Sequence, residues 1–168
     1  MGYELKVDGM AEISETLSKL EERAPAVAAK ALYEGAGIMA DEVRKSADSI
    51  RTAPFKWASS SGETRLPSPE EKEIVQTAAA GIAKFNKNGT EVDTSVGFRN
   101  AGYAELKGKI VPIPKIVNAI NSGTSFMKKQ PFVRKAASSA SPKALEAMRK
   151  CIEEEFEAIG KQYKATMK

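Results

Sequence analysis

Asn118-Ala119-Ile120-Asn121-Ser122-Gly123-Thr124-Ser125-Phe126-Met127-Lys128-Lys129-Gln130-Pro131-Phe132-Val133-Arg134-Lys135-Ala136 is the stretch from which the rest of the chain is best read. A short apolar turn of helix over 116–120 leads into it and breaks at Gly123. A basic loop follows, and the chain turns back into the core at Pro131 and Phe132. Gly123 supplies a backbone conformation that other residues resist, and proline fixes the re-entry. The longest amphipathic helix is expected directly afterwards. No catalytic motif lies in this stretch.

Outward from it, the C-terminal part predicts a helix opened by Ser141-Pro142, a serine cap followed by proline at the first turn. Its apolar positions are Leu145, Met148, Ile152, Phe156, Ile159 and Tyr163, at spacings of three and four. That pattern is close to a heptad seam, able to cover the sheet or another subunit. Cys151 sits beside the seam and reads as a structural thiol, since no histidine exists to activate it.

On the N-terminal side of the quoted stretch, 100–115 is rich in glycine, proline and lysine and predicts an exposed loop. Before that, Asn88-Gly89 separates two alternating runs, the strongest short hairpin signal. Val92, Val96 and Phe98 are expected on one face with Thr90 and Thr94; Glu91, Asp93, Ser95 and Arg99 take the other. Pro69-Glu70-Glu71 opens a short helix with carboxylates in its first turn.

A long exposed loop is expected over 49–69, with Pro54, Pro67 and a serine run. Within it Phe55 and Trp57 are either an anchor onto the domain or a patch for a partner, and the lack of catalytic neighbours favours the partner. The chain opens with a short strand over 3–7 and a short helix from Met10 carrying Ile13, Leu17 and Leu20. Ala24-Pro25 predicts a break, then a second, alanine-rich helix to about Ser46. Val27, Ala31, Ile38, Leu32 and Val43 form its buried side. Gly35, Ala36 and Gly37 interrupt helix propensity, either because another element approaches closely or as a tolerated weak spot.

These elements give an α+β domain. A small antiparallel sheet with a central β-hairpin packs against a long alanine-rich helix and a C-terminal amphipathic helix. With 168 residues, one domain spanning the chain is the simplest division. No apolar run reaches the length of a membrane span and no signal core is visible, so a cytoplasmic protein is expected.

Composition excludes much chemistry. The chain has no histidine and one cysteine, which removes the usual general base, the commonest metal ligand and an internal disulfide. Phosphate-loop, dinucleotide and nucleophile-elbow motifs are missing. An enzyme is the weakest reading; no catalytic, metal or cofactor residue is assigned. Lys107, Lys109, Lys115, Lys128, Lys129, Arg134 and Lys135 make the best basic cluster. With a net charge of +4, it supports at most nonspecific phosphate contact, the alternative being a basic nucleic-acid-binding module.

Gly9-Met10-Ala11-Glu12-Ile13, and Gly123-Thr124-Ser125 through Pro131-Phe132-Val133-Arg134-Lys135-Ala136, resemble the head–tail joining proteins of long-tailed bacteriophages. These are also called neck, tail-completion or minor tail protein Z-like proteins. The order of elements is similar along nearly the whole chain, except that many relatives have a shorter turn after the long helix. The resemblance implies a structural virion protein at the head–tail junction, present in the host cytoplasm during assembly. It implies a homo-oligomeric ring, a hexamer, between the head connector or head-completion protein and the tail tube protein. DNA would pass through the lumen without sequence-specific contact, and no membrane is involved. On this reading 118–136 is a hinge between hairpin core and terminal helix. Phe55, Trp57, Lys107, Lys109, Phe126, Lys128, Lys129 and Arg134 become candidates for subunit or partner contact, with Gly123, Thr124, Pro131 and Phe132 as the structural motif.

Overall fold

One helix, α1 (Met10–Ala47), runs straight through Pro25, where the sequence predicts a break. The structure, a computed structural model, describes residues 10–54, 63–78, 80–82, 86–88, 91–98 and 101–166. The expected strand over 3–7 lies outside these residues, as do Phe55 and Trp57. Proline inside a helix removes one backbone hydrogen bond and costs about 3 kcal/mol. Around Pro25 the alanines at 24, 26, 28 and 29 are strong helix formers, and Val27 and Ala31 are buried just beyond. Packing and propensity together outweigh the local cost, so α1 is the longest helix.

The same competition decides the C-terminal part. Helix α4 (Phe132–Thr166) begins nine residues before Ser141 and contains Pro142 in its interior. Ser141 is no N-cap here; its hydroxyl donates to the Ala137 carbonyl at 2.7 Å. Ala136, Ala140 and Ala144 are buried on both sides of the proline and hold one continuous helix.

The two long helices run antiparallel. Lys30 pairs with Glu155, Gly35 lies under Met148, and the Ser46 hydroxyl reaches the Phe132 carbonyl at 3.2 Å. Close approach therefore accounts for Gly35, whereas Gly37 has open space around it. The expected apolar seam of α4 is not what α1 covers. The buried stripe is Ala136, Ala140, Ala144 and Cys151, while Leu145 is 65% exposed and Phe156 42% exposed. Met148, Ile152 and Ile159 are half-buried. Small residues on both helices let the backbones come close, which displaces the larger side chains to the flank.

Against α1 packs a two-part antiparallel ribbon. Strand β1 (Gly81–Ile82) pairs with β4 (Val96–Gly97), and β2 (Asn86–Asn88) pairs with β3 (Glu91–Asp93). The register closes on Asn88 opposite Glu91, so Asn88, expected in the turn, is a paired residue of β2. Val92, Thr94 and Val96 are half-buried and Phe98 is buried, while Asp93 and Ser95 are exposed, the alternation the sequence predicts.

Helix α2 (Pro69–Ala78) is latched to the end of α1. Lys72 donates to the Asp48 carbonyl at 2.7 Å and Gln76 to the Asp48 carboxylate at 2.6 Å. A second hairpin replaces the loop expected over 100–115. Strand β5 (Tyr103–Leu106) pairs with β6 (Lys109–Pro112) across Lys107 and Gly108, both at positive φ (52° and 76°). Two positive-φ residues make the tight hairpin turn whose twist matches the strands. Helix α3 (Ile113–Ser122) follows at once and ends on Gly123. Ile113, Ile116, Val117 and Ile120 point from it into the core, where Val43, Ile50, Val75, Phe98 and Phe132 meet them.

Candidate functional site

The connection from α3 to α4 is built by backbone chemistry. Gly123 has φ 77° and ψ 168°, a region close to glycine-only, and its N–H donates to the Ala119 carbonyl at 3.0 Å. Thr124 then organises the turn. Its Oγ1 accepts the Met127 N–H at 3.0 Å and the Phe126 N–H at 3.3 Å, while its own N–H reaches the Met127 carbonyl at 3.0 Å. Met127 is buried and Phe126, one residue earlier, is exposed.

The flank of the expected 49–69 loop is docked against this turn. Arg65 forms a parallel bridge with Met127: its N–H donates to the Phe126 carbonyl, and its carbonyl accepts the Lys128 N–H, both at 2.8 Å. Gln130 holds the other flank, accepting the Arg51 N–H at 2.8 Å and donating to the Arg51 carbonyl at 2.9 Å. The Ala53 N–H reaches the Pro67 carbonyl at 2.9 Å, and Pro67 and Ser68 are buried. Residues 65–68 are thus a packed segment within the span expected as an exposed loop, while Glu63, Thr64 and Pro69 are exposed. The 118–136 stretch, expected as a hinge, is a wall held by hydrogen bonds from Arg65 and from Arg51.

Beneath the wall lies an ion pair. The Arg65 guanidinium grips the Glu71 carboxylate with two bonds of 2.6 and 2.7 Å. Glu71 also accepts the Ser68 N–H at 2.7 Å, and Ser68 Oγ accepts the Glu71 N–H at 3.2 Å. This reciprocal pair is a capping box at the start of α2. Burial pushes the Glu71 carboxyl up, but the arginine and serine bonds more than offset it, leaving its pKa below the ordinary glutamate value.

These elements enclose an apolar groove of about 870 Å³. The buried and half-buried Leu106, Val111, Ile116 and Met127 form its floor, and the exposed Phe126 and the Arg65–Glu71 pair also line it. Lys107, Lys109 and Lys115 line it as well. Lys107 is paired with Glu70 at 2.7 Å; Lys109 and Lys115 have no ion-pair partner among the described residues. A separate, smaller cleft of about 310 Å³, sharing no residue with the groove, is lined by Arg51, Lys128, Lys129, Gln130 and Lys135.

The candidates named from sequence therefore separate. Lys107, Lys109, Phe126, Gly123 and Thr124 meet in the groove; Lys128, Lys129, Pro131 and Phe132 border the cleft. Arg134 is exposed on the first turn of α4 and belongs to neither. Phe132 is buried at 3% exposure, edge-on to Phe98 with ring centroids 6.3 Å apart. Leu106, Val111 and Met127 were not visible as site residues. The signal for the first two was the alternation around Lys107-Gly108. Glu71 had one too, in the capping-box spacing of Ser68-Pro69-Glu70-Glu71, whereas Arg65 had none.

Elsewhere the chemistry is plain. Cys151 is buried, and desolvation together with the nearby Glu34 carboxylate raises its thiol pKa, which disfavours the thiolate. Among the described residues no cluster of three or more potential metal ligands occurs, and no helix is long and apolar enough to cross a membrane. No protein-family model matches the chain, and neither a curated protein nor a solved structure matches it.

Proposed function

We propose that the chain is a structural virion protein of a long-tailed bacteriophage, acting as one subunit of a ring at the head–tail junction. In this role it completes the tail and joins it to the head connector. The observation that carries the reading is the arrangement of the Gly123-Thr124-Ser125 to Pro131-Phe132-Val133-Arg134 signature. Its first part lines a binding-sized groove and its second part a separate basic cleft. A stretch pinned by hydrogen bonds suits assembly, because two distinct surfaces can meet different neighbours at a reduced ordering cost. Ring closure requires contacts of this heterologous kind. The groove has apolar floor and charged rim but no nucleophile–base pair, which supports binding over catalysis.

The test is mass measurement across concentration combined with capture of the head connector and tail tube proteins of the same virion. A discrete oligomer that binds either protein supports the proposal; a strict monomer that binds neither ends it. A second reading, a basic nucleic-acid-binding module, draws on the cleft lined by Arg51, Lys128, Lys129 and Lys135. It requires DNA affinity that falls steeply with salt, in proportion to the phosphates contacted. No binding at low salt removes it.

A further inference from the structure

The groove has a complement on the same molecule. The outer half of α4 reads Ile152-Glu153-Glu154-Glu155-Phe156-Glu157-Ala158-Ile159. Ile152, Phe156 and Ile159 are spaced four and three, the anchor pattern of a helix lying in an apolar groove. Phe156 is exposed and the two isoleucines are half-buried. Four carboxylates surround these anchors and no base interrupts the run. The groove offers the opposite: a floor of Leu106, Val111, Ile116 and Met127 with lysines at 107, 109 and 115.

We propose that the acidic outer half of α4 from one copy lies in the lysine-lined groove of the next copy. The inference deepens, and rests on, the reading of the chain as a ring subunit. One chain cannot satisfy the contact internally through α4 as folded. Phe156 lies 24 residues beyond Phe132 on a continuous helix, about 36 Å along its axis. The groove borders the connection just before Phe132. Two different surfaces therefore meet head to tail, and repetition of that contact closes a ring or extends a filament. The glutamates already face Arg149, Lys150 and Lys161 along the helix, and Glu155 faces Lys30. Exposed pairs of this kind contribute little and exchange readily for intermolecular ones.

The experiment places a photoreactive phenylalanine analogue at position 156 of the full chain and identifies the peptide it captures. Crosslinks to peptides within 106–127 of a second copy are expected. Sedimentation or native mass measurement accompanies it, with Phe156→Glu and Lys109→Glu/Lys115→Glu variants whose helicity is checked. Each variant alone should fall to the mass of a single chain. Mixed in equal amounts they should form dimers and nothing larger, because one chain keeps its groove and the other its helix. Overturning results are a wild-type chain that stays monomeric at every concentration, a crosslink from α4 to α4, or variants that assemble like wild type. Assembly through a different surface would remove this contact while leaving the ring reading intact. The mixed dimer without capture of head or tail components would do the reverse.

Discussion

Met148 packs over Gly35 so tightly that a Cβ at position 35 would lie 1.9 Å from Met148 Cε and 2.7 Å from its Cγ. The Cε could swing away, but Cγ moves only by a change of χ1, which a helix restricts. Gly35→Ala should therefore destabilise. Overpacking costs about 1–3 kcal/mol, against a propensity gain of about 1 kcal/mol. Gly37, two residues on, has open space, so Gly37→Ala should stabilise by about 0.5–1 kcal/mol. Chemical denaturation of both variants measures the contrast. Met148→Ala should cancel the penalty at Gly35 in a double-mutant cycle.

Phe132→Ala should cost about 3–5 kcal/mol, since the ring is enclosed and stacked edge-on against Phe98. Denaturant midpoints at unchanged slope are the measurement. A near-wild-type midpoint would place the ring outside the core.

Gly123→Ala should cost about 1–3 kcal/mol for the backbone conformation alone. The methyl group would also meet the Lys129 backbone at 3.1–3.2 Å, so the loss should fall toward the upper end. A substitution at exposed Gly102 keeps a similar positive φ with no neighbour in reach, and it isolates the conformational part.

Breaking the Arg65–Glu71 pair should leave a buried charge without its partner. Glu71→Ala should lower stability by about 3 kcal/mol. The pair also sets a pH dependence. The folded-state pKa of Glu71 is depressed, so its stabilisation is fully present above the ordinary glutamate value. It is lost as pH falls through the lower folded value. Acid unfolding of the wild type should be steeper than that of Glu71→Gln across that window, and parallel curves would contradict it.

Alternation and apolar spacing made parts of the fold legible. Val92, Val96 and Phe98 announced a one-sided ribbon, and Ile116 to Gly123 announced a helix with its stop. Pro25 and Pro142 misled for one reason: local signals weigh the lost hydrogen bond, whereas packing of distant alanine stripes decides the outcome. The 103–112 hairpin was hidden because its turn uses Lys107, a residue with no turn preference. In the site, lysines and Phe126 were visible by composition. The apolar floor depends on Leu106 and Val111 meeting Ile116 and Met127 from other elements, and the Ser68 to Glu71 spacing marks a cap without pairing Glu71 to Arg65.

The pairing of α1 with α4 has a consequence for synthesis on the ribosome. About eighty residues separate the end of α1 from the start of α4, so at ordinary elongation rates α1 waits on the order of ten seconds for its cover. A leucine-rich stripe left bare for that time would invite aggregation. Ala31, Ala36 and Ala40 present little apolar area each, so the nascent helix can wait for its partner at low risk.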